Sequence, residues 1–343
     1  MTGRGPVRAW NAFWFGPVSA RPLGAFRVVL GLIALAHLGM VAVDLDYWLT
    51  DQGILTGTEA RELAGPLRFS PLQYVQDPAS VRAFFAATAG VALLFTLGWK
   101  TRLMGVLLYP AMLSIHHRNI PTNCGPDNLL LVLLFLLMLS PCGAAYSLDA
   151  RRAARRRGGT AAEPLIVPWA QRLIQLQMAL IYLNTAVLKC QGATWLNGTS
   201  LHFVLNNPEV TRFDFSALSR YPVVLNLMSH GALLIEFALP FLIWFRPTRA
   251  WVVAGGLALH GGILLTINAP LFGEMMTACY LVFLDPDEFA ALLRAVNPTR
   301  WLRTRTHALA PAIAPGRLDP AAPIHGPHAP APACLPETPS RKN

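Results

Sequence analysis

The stretch PLGAFRVVLGLIALAHLGMVAV, residues 22–43, is almost continuously apolar. A helix that spans a lipid bilayer needs about 20 mainly apolar residues, so this run is long enough to cross one. Further apolar runs follow it at 82–98, 102–117, 128–147, 169–189, 221–245, 249–269 and 274–292. We therefore predict an all-α fold, a polytopic transmembrane helix bundle of about eight spans. The second and third runs are short for a full crossing and could be tilted or partly re-entrant.

The composition independently indicates a membrane protein. Of the 343 residues, 54% are hydrophobic and 13% are charged, whereas a soluble domain averages about 25% charged residues. The formal net charge of +10 could indicate a nucleic-acid partner. The basic residues, however, lie in short clusters between apolar runs, as membrane topology requires. We therefore expect the lipid bilayer as a partner and no nucleic acid.

These basic clusters predict the orientation of the spans. Arg4, Arg8 and Arg21 precede the first run and indicate a cytoplasmic N-terminus. The loop at 44–81 is rich in acidic residues and reads as external, whereas the arginines within 151–157 are the strongest cytoplasmic signal. Crossing the bilayer at every apolar run satisfies these clusters. Both termini are then cytoplasmic. The short single-domain form and the arginine- and alanine-rich composition indicate a multi-pass protein of the bacterial inner membrane.

Three segments are predicted along the chain. Residues 1–20 form an N-terminal interfacial segment, because aromatic residues such as Trp10 and Trp14 are typical of a helix lying on the membrane surface. Residues 21–295 form the transmembrane domain. Residues 296–343 are rich in Pro and Ala without apolar periodicity, which predicts a disordered cytoplasmic tail.

The fifth apolar run carries a polar stripe at three- and four-residue spacing, which predicts one polar helix face. Its members are Gln171, Gln175, Met178, Tyr182, Thr185 and Lys189. Lys189 ends the stripe at the predicted outer leaflet. Two interpretations stay open: the lysine extends its amine to the headgroups, or it is a partly buried amine that acts as a base. Trp195 follows in a predicted external loop.

A second polar group lies between the third and fourth runs. Arg118 and Asn119 end one run and Asp127 begins the next, so Arg118 and Asp127 could pair across the hairpin. The pair either fixes the loop or anchors a polar headgroup or an acidic substrate. His116 and His117 have no second ligand set at suitable spacing, and we therefore predict no metal site.

Ionisable residues inside predicted spans are candidates for function. His230 and Glu236 lie in the sixth run and His260 in the seventh, where interhelical hydrogen bonding is the alternative explanation. The chain has five cysteines and no CxxC pair, which argues against a thioredoxin-like centre. Cys124 and Cys190 both lie at predicted external helix ends, where we hypothesise a disulfide.

In order and spacing, these residues resemble the HTTM family, the membrane domain shared by vitamin K-dependent gamma-carboxylases and shorter bacterial proteins. The pieces that carry the resemblance are Arg118-Asn119, Asp127, Tyr146-Ser147-Leu148-Asp149, Tyr182 through Lys189, Trp195-Leu196-Asn197-Gly198-Thr199, Glu236 and His260. The resemblance implies that Lys189 is the base that deprotonates a reduced isoprenoid quinone of the vitamin K or menaquinone type. It also implies that His260 supports the quinone pocket. Two features depart from the carboxylases: this chain reads Cys124-Gly125-Pro126-Asp127-Asn128 where they have a histidine, and no large luminal domain follows.

Three hypotheses about function follow. The first is a quinol- and oxygen-dependent enzyme that modifies a small or peptide substrate at the extracytoplasmic face, with Lys189 and His260 as catalytic residues. Its substrate or cofactor would contact Arg118, Asn119, Asp127, Tyr182, Trp195, His230 and Glu236. The second is a non-catalytic factor for the maturation of, the binding of or immunity to a secreted peptide. The third is a transporter, against which the halves show no inverted repeat.

Overall fold

The structure of the protein is a computed structural model that describes residues 5–75, 77–158 and 163–296. The predicted tail at 296–343 lies, apart from its first residue, outside the described residues. Within the described ranges the chain is helical almost throughout, and its β-structure is a two-residue antiparallel pair, Val18–Ser19 with Leu165–Ile166, and one isolated bridge. The all-α prediction is confirmed.

The α-helices of the described part are, in chain order, α1 (Pro6–Phe15), α2 (Arg21–Val43), α3 (Leu45–Leu49), α4 (Gly57–Ala64), α5 (Pro78–Leu97), α6 (Thr101–Arg118), α7 (Gly125–Leu139), α8 (Leu148–Arg156), α9 (Trp169–Cys190), α10 (Ala193–Leu196), α11 (Ser200–Leu205), α12 (Pro222–Leu242), α13 (Arg246–Thr266), α14 (Phe272–Cys279) and α15 (Pro286–Val296). Short 3-10 turns lie between several of them, and one of these, Tyr280–Phe283, continues α14. Helix α1 forms in the predicted interfacial segment and has no buried residue.

Five helices of the described part are long and apolar enough to cross a membrane, namely α2, α5, α9, α12 and α13. Two further apolar helices are shorter, α7 and the combined segment Phe272–Phe283. The predicted run at 128–147 stops being helical at Leu139, because Pro141 follows and a proline lacks the backbone donor that a helix needs. The predicted run at 274–292 is divided for a related reason, since Pro286 begins a separate helix, α15.

The long helices pack as antiparallel neighbours along the chain. Helix α2 packs on α5, α5 on α6 and α6 on α7, while α9 packs on α12 and α12 on α13. Leu180, Leu234 and Trp251 remain 59%, 67% and 80% exposed on the outside of these helices. Large apolar side chains on the outside of long helices are typical of a surface in contact with lipid.

The bundle has two ends, which are named here after residues that lie at them. The Lys189 end contains the C-terminal ends of α2, α6, α9 and α13 and the N-terminal ends of α7 and α12. The opposite end, the Arg27 end, contains the turn between α5 and α6 and helix α8. At this end the fully buried Arg27 donates hydrogen bonds to the carbonyls of Phe95, Thr96 and Tyr146, at 2.5, 2.8 and 2.7 Å. Arg27 therefore ties α2 to the C-terminal end of α5 and to the segment between α7 and α8.

The polar stripe of α9 is divided between the two ends. Near the Arg27 end, Gln171 and Gln175 both donate from Nε2 to the carbonyl of Val282, at 2.7 and 2.6 Å. Val282 lies in the 3-10 turn after α14, where the carbonyl groups lack helical partners. This half of the stripe is structural, and the half that ends in Lys189 forms the candidate site.

Candidate functional site

Lys189 lies in the last turn of α9 and is held by an ion pair. Its Nζ is 2.6 Å from Oε1 of Glu236 on α12. The lysine side chain is 21% exposed and the glutamate side chain is 7% exposed. The other carboxylate oxygen of Glu236, Oε2, is buried without a hydrogen-bond partner. The sequence placed the two residues on different helices, and the structure brings them into contact.

Trp195 encloses the same amine from another direction. The Nζ of Lys189 lies over the indole ring, 4.2 Å from its centroid, in a cation–π contact. Trp195 belongs to α10, which begins at Ala193, just after α9 ends. The amine is therefore held between a carboxylate and an aromatic face at the edge of the bundle, and it does not extend freely outward.

His230 supports this loop and does not join the site. Its ring is exposed, and Nε2 lies 3.2 Å from the carbonyl oxygen of Leu196. Gly198 packs against the same ring with a φ of 77°, and a Cβ there would lie 2.6 Å from Cε1 of His230. Glycine tolerates this left-handed backbone without strain. His230 therefore positions the chain after Trp195, whereas the sequence had grouped it with the binding residues.

Tyr182, His260 and Tyr280 form a buried hydrogen-bonded trio two helical turns below Lys189. The hydroxyl of Tyr182 lies 2.6 Å from Nε2 of His260 and 2.5 Å from the hydroxyl of Tyr280. The three side chains are buried, and Nδ1 of His260 has no partner. Tyr182 and Lys189 are seven residues apart on α9, about 10 Å along the same helix face.

Tyr280 is a member of this trio that the sequence reasoning missed. It follows Thr277-Ala278-Cys279 within the predicted eighth span. A tyrosine inside an apolar helix has to find a partner for its hydroxyl, and this was the available signal.

Arg118 does not pair with Asp127, and that prediction is wrong. The Arg118 side chain is fully buried, and its Nη2 donates to Oδ1 of Asp51 at 3.1 Å and to the carbonyl of Leu55 at 2.8 Å. The Asp127 carboxylate instead accepts from the backbone N–H of Cys124 at 2.9 Å and caps α7. The long loop at 44–77 brings Asp51 to Arg118, and spacing in the sequence does not reveal such a partner.

The predicted binding residues thus separate into two groups. Glu236 and Trp195 both contact Lys189, and Tyr182 and His260 lie below these three residues. Arg118, Asn119 and Asp127 lie where α2, α6 and α7 meet, and Asn119 Nδ2 donates to the carbonyl of Trp48 at 3.3 Å. Asn119 and Asp127, but no member of the first group, line a cavity of about 490 Å³.

One motif that carries the family resemblance has a structural role away from the candidate site. Tyr146-Ser147-Leu148-Asp149 lies at the Arg27 end, where Asp149 accepts from the backbone N–H groups of Lys100 and Thr101 at 3.0 and 2.7 Å. It therefore holds the turn between α5 and α6 against α8.

The hypothesised disulfide is not formed, since Cys124 and Cys190 are both free thiols. The Cys124 thiol instead lies 3.2 Å from Asp127 Oδ2.

Comparison with known proteins agrees with the resemblance found in the sequence. The HTTM domain matches residues 15–287. The chain is also similar to the uncharacterized protein YitO of Bacillus subtilis (strain 168), with 21% identity over 221 residues that cover 62% of this chain and 69% of YitO. No solved structure matches the chain. Because the match to the HTTM domain covers well over half of its length, the chain belongs to the HTTM family of membrane proteins.

Proposed function

We propose that this protein is a membrane enzyme that uses a reduced isoprenoid quinone and oxygen to modify a small or peptide substrate. The observation that carries the proposal is the enclosed amine of Lys189, 2.6 Å from Glu236 and in contact with Trp195. A lysine that only reached for headgroups would not need an almost fully buried carboxylate as its partner. Membership of the HTTM family supports the same function, because the resemblance assigns the base to the position of Lys189.

The pair of Lys189 and Glu236 offers a route for one proton. An ammonium and a carboxylate in direct contact can exchange that proton to give a neutral amine and a carboxylic acid. In a poorly solvated site the neutral pair competes with the charged pair, because desolvation penalises both ions. The neutral amine has a free lone pair and can accept a proton from an acidic hydroxyl group that approaches along α9.

Trp195 acts against this exchange. A cation–π contact favours the protonated amine by roughly 0.5–2 kcal/mol. The indole therefore holds the resting ammonium in place, and a ligand that inserts between the indole and the amine would favour release of the proton to Glu236. The same ring gives an apolar ligand a flat surface beside the amine.

The residues around Lys189 fit a quinone head group. Glu236 Oε2 and His260 Nδ1 are buried polar atoms without partners, and a ligand with oxygen substituents could satisfy them. Trp195 would pack on the ring, while Tyr182 and Tyr280 would hold the orientation of His260 through their hydroxyl groups. When bound, a reduced quinone would supply the electrons for the reduction of oxygen.

The proposal includes a location in the membrane. Helices α2, α5, α9, α12 and α13 would cross it, and α6, α7 and the segment Phe272–Phe283 would complete eight crossings. The arginines of α8 would then lie in the cytoplasm with both termini, and the Lys189 end would face outward from a bacterial inner membrane. The distribution of charge in the sequence supports this orientation.

Oxygen uptake by the purified full chain in lipid nanodiscs tests the proposal. Menaquinol or vitamin K hydroquinone is the probe, and the rate is compared for wild type, Lys189→Met and Lys100→Met. Lys100 is a matched control, because its Nζ also lies over a tryptophan ring, 4.9 Å from the centroid of Trp99, but at the Arg27 end. Loss of a general base lowers a rate by about 10²–10⁴-fold.

We expect that loss in Lys189→Met and a rate within about twofold of wild type in Lys100→Met. Equal rates in both folded variants would exclude Lys189 as the base. Absence of quinol-dependent uptake in wild type, with capture of a secreted peptide, would favour the alternative of a non-catalytic maturation, binding or immunity factor. The separate cavity beside Asn119 and Asp127 is the feature that favours this alternative, because it could bind a ligand without the help of Lys189.

A further inference from the structure

Three side chains with metal-binding groups meet at the Lys189 end, away from Lys189 itself. His37 lies near the end of α2, His116 near the end of α6 and Asp127 in the first turn of α7. One potential ligand atom from each lies within 4.8 Å of the other two. The sequence alone predicted no metal site, because these ligands come from three separate helices and only the fold assembles them.

Two imidazole nitrogens in this cluster lack hydrogen-bond partners. Nε2 of His37 and Nε2 of His116 are both buried and unpaired. His116 is 4% exposed, and the two rings stack with centroids 4.9 Å apart and an angle of 23° between planes. A buried imidazole normally finds a donor or acceptor for each nitrogen, so an unpaired nitrogen on each of two stacked rings indicates an additional partner.

Asn123 holds the His116 ring in a defined orientation. Its Oδ1 lies 3.3 Å from Nδ1 of His116, and its Nδ2 donates to the backbone carbonyl of His116 at 2.9 Å. Histidines that bind metals usually make such a hydrogen bond through their other nitrogen, which fixes the tautomer and the ring direction. With Nδ1 occupied in this way, Nε2 of His116 is left as the nitrogen available for a ligand.

Asp127 contributes a carboxylate of suitable position and charge. Its Oδ1 lies 3.7 Å from Nδ1 of His37, and its side chain is 16% exposed. A metal with bonds of about 2.0–2.2 Å separates neighbouring ligand atoms by roughly 3–3.5 Å. The ligand atoms of the cluster would thus move about an ångström closer together on binding.

All three residues line the cavity of about 490 Å³, together with Asn119, Asn123 and Cys124. A site with three protein ligands that faces such a space keeps coordination positions open for water or for a ligand. Two imidazoles and one carboxylate favour a divalent transition metal such as Zn²⁺ or Fe²⁺ over Mg²⁺ or Ca²⁺, which prefer oxygen atoms alone.

We propose that His37, His116 and Asp127 bind one divalent transition-metal ion, with its open positions directed into the adjoining cavity. This site is separate from Lys189 and does not depend on the proposed quinol chemistry. Arg118 donates from Nη2 to Asp51 and does not line the cavity.

The test measures metal binding by the full chain in detergent, without any assay of activity. Protein stripped with a chelator is dialysed against Zn²⁺, Co²⁺, anaerobic Fe²⁺, Mg²⁺ or Ca²⁺, and bound metal per chain is determined by mass spectrometry. Visible absorption of bound Co²⁺ reports its coordination, and the Zn²⁺ and Fe²⁺ arms identify the preferred ion. The variants are His37→Asn, His116→Asn and Asp127→Asn.

His117→Asn is the matched control, because His117 is adjacent to His116 but its Nδ1 faces the backbone carbonyl of Phe69 at 3.0 Å. We expect about one transition-metal ion per wild-type chain, an affinity loss greater than about tenfold in each ligand variant, and no loss in the control. Wild-type protein that binds no Co²⁺ or Zn²⁺ overturns the proposal whether or not the variants fold. The proposal is also overturned if Mg²⁺ binds with the same affinity as the transition metals. It is overturned as well if the folded ligand variants retain the wild-type affinity.

Discussion

Replacing Lys189 and Glu236 separately and together measures how strongly the two side chains are coupled. The variants are Lys189→Met, Glu236→Leu and the double substitution, each of which keeps about the volume of the original side chain. Either single change leaves one charged group without its partner in a poorly solvated place. The double change removes both charges and leaves an apolar contact between α9 and α12.

The expected coupling free energy follows from the 2.6 Å separation between Lys189 Nζ and Glu236 Oε1. Two unit charges at that distance attract by about 1.6 kcal/mol in bulk water and by about 6 kcal/mol at an effective dielectric constant of about 20. Because the lysine side chain is 21% exposed, we expect a value nearer the lower limit. The coupling free energy should be about 2–3 kcal/mol, and the double variant should be close to wild type in stability.

Unfolding in mixed micelles of increasing denaturing detergent, followed by circular dichroism, gives the four free energies of unfolding that the double-mutant cycle requires. A coupling near 1 kcal/mol would indicate a neutral hydrogen bond instead of an ion pair. Effects of the two single changes that add within about 0.5 kcal/mol would refute the contact itself, since additivity is the behaviour of independent sites.

Two further changes test the trio and the opposite end of the bundle. Tyr182→Phe removes the hydroxyl that bonds to His260 and Tyr280 and leaves buried polar groups unpaired. The same unfolding assay should therefore show a loss of about 1–3 kcal/mol in the free energy of unfolding. An unchanged free energy of unfolding would contradict the trio. At Asp149, partial burial acts to raise the pKa of the carboxyl, but hydrogen bonds from Thr101 and Lys100 outweigh it and hold that pKa below its usual value. The carboxylate therefore stabilises the fold above the unfolded-state pKa of about 3.9, and this contribution is lost as the pH falls through the lowered folded-state value. Thermal melts of wild type and Asp149→Asn should differ at neutral pH and converge in acid, and a difference that persists unchanged in acid would contradict this role.

Much of the architecture was predictable because the bilayer imposes a local requirement on the sequence. A run of about 20 apolar residues is itself the signal for a span, and α2, α5, α9, α12 and α13 all correspond to predicted runs. The end of α7 and the division of the last predicted run were less predictable, since apolar composition continues past both points. Pro141, which follows the end of α7, and Pro286, which begins α15, were the local signals.

The candidate site was predictable on one helix and not between helices. Three- and four-residue spacing placed Tyr182 and Lys189 on one face of α9, because helical periodicity is a property of the chain alone. The partner of each polar group depends instead on how helices rotate about their axes and where loops return. Arg118 therefore appeared to face Asp127, when a loop far away in the sequence supplies Asp51.

From residue order alone, this protein is a membrane bundle with an amine at the end of a polar stripe. Tertiary packing decided that this amine meets Glu236 and Trp195, that Tyr280 completes the trio, and that His37, His116 and Asp127 come together on three helices. The physical reason is that the favourable transfer of an apolar helix into the bilayer depends on the residues of that segment alone. The cost of burying a polar group depends on which atoms from other segments reach it.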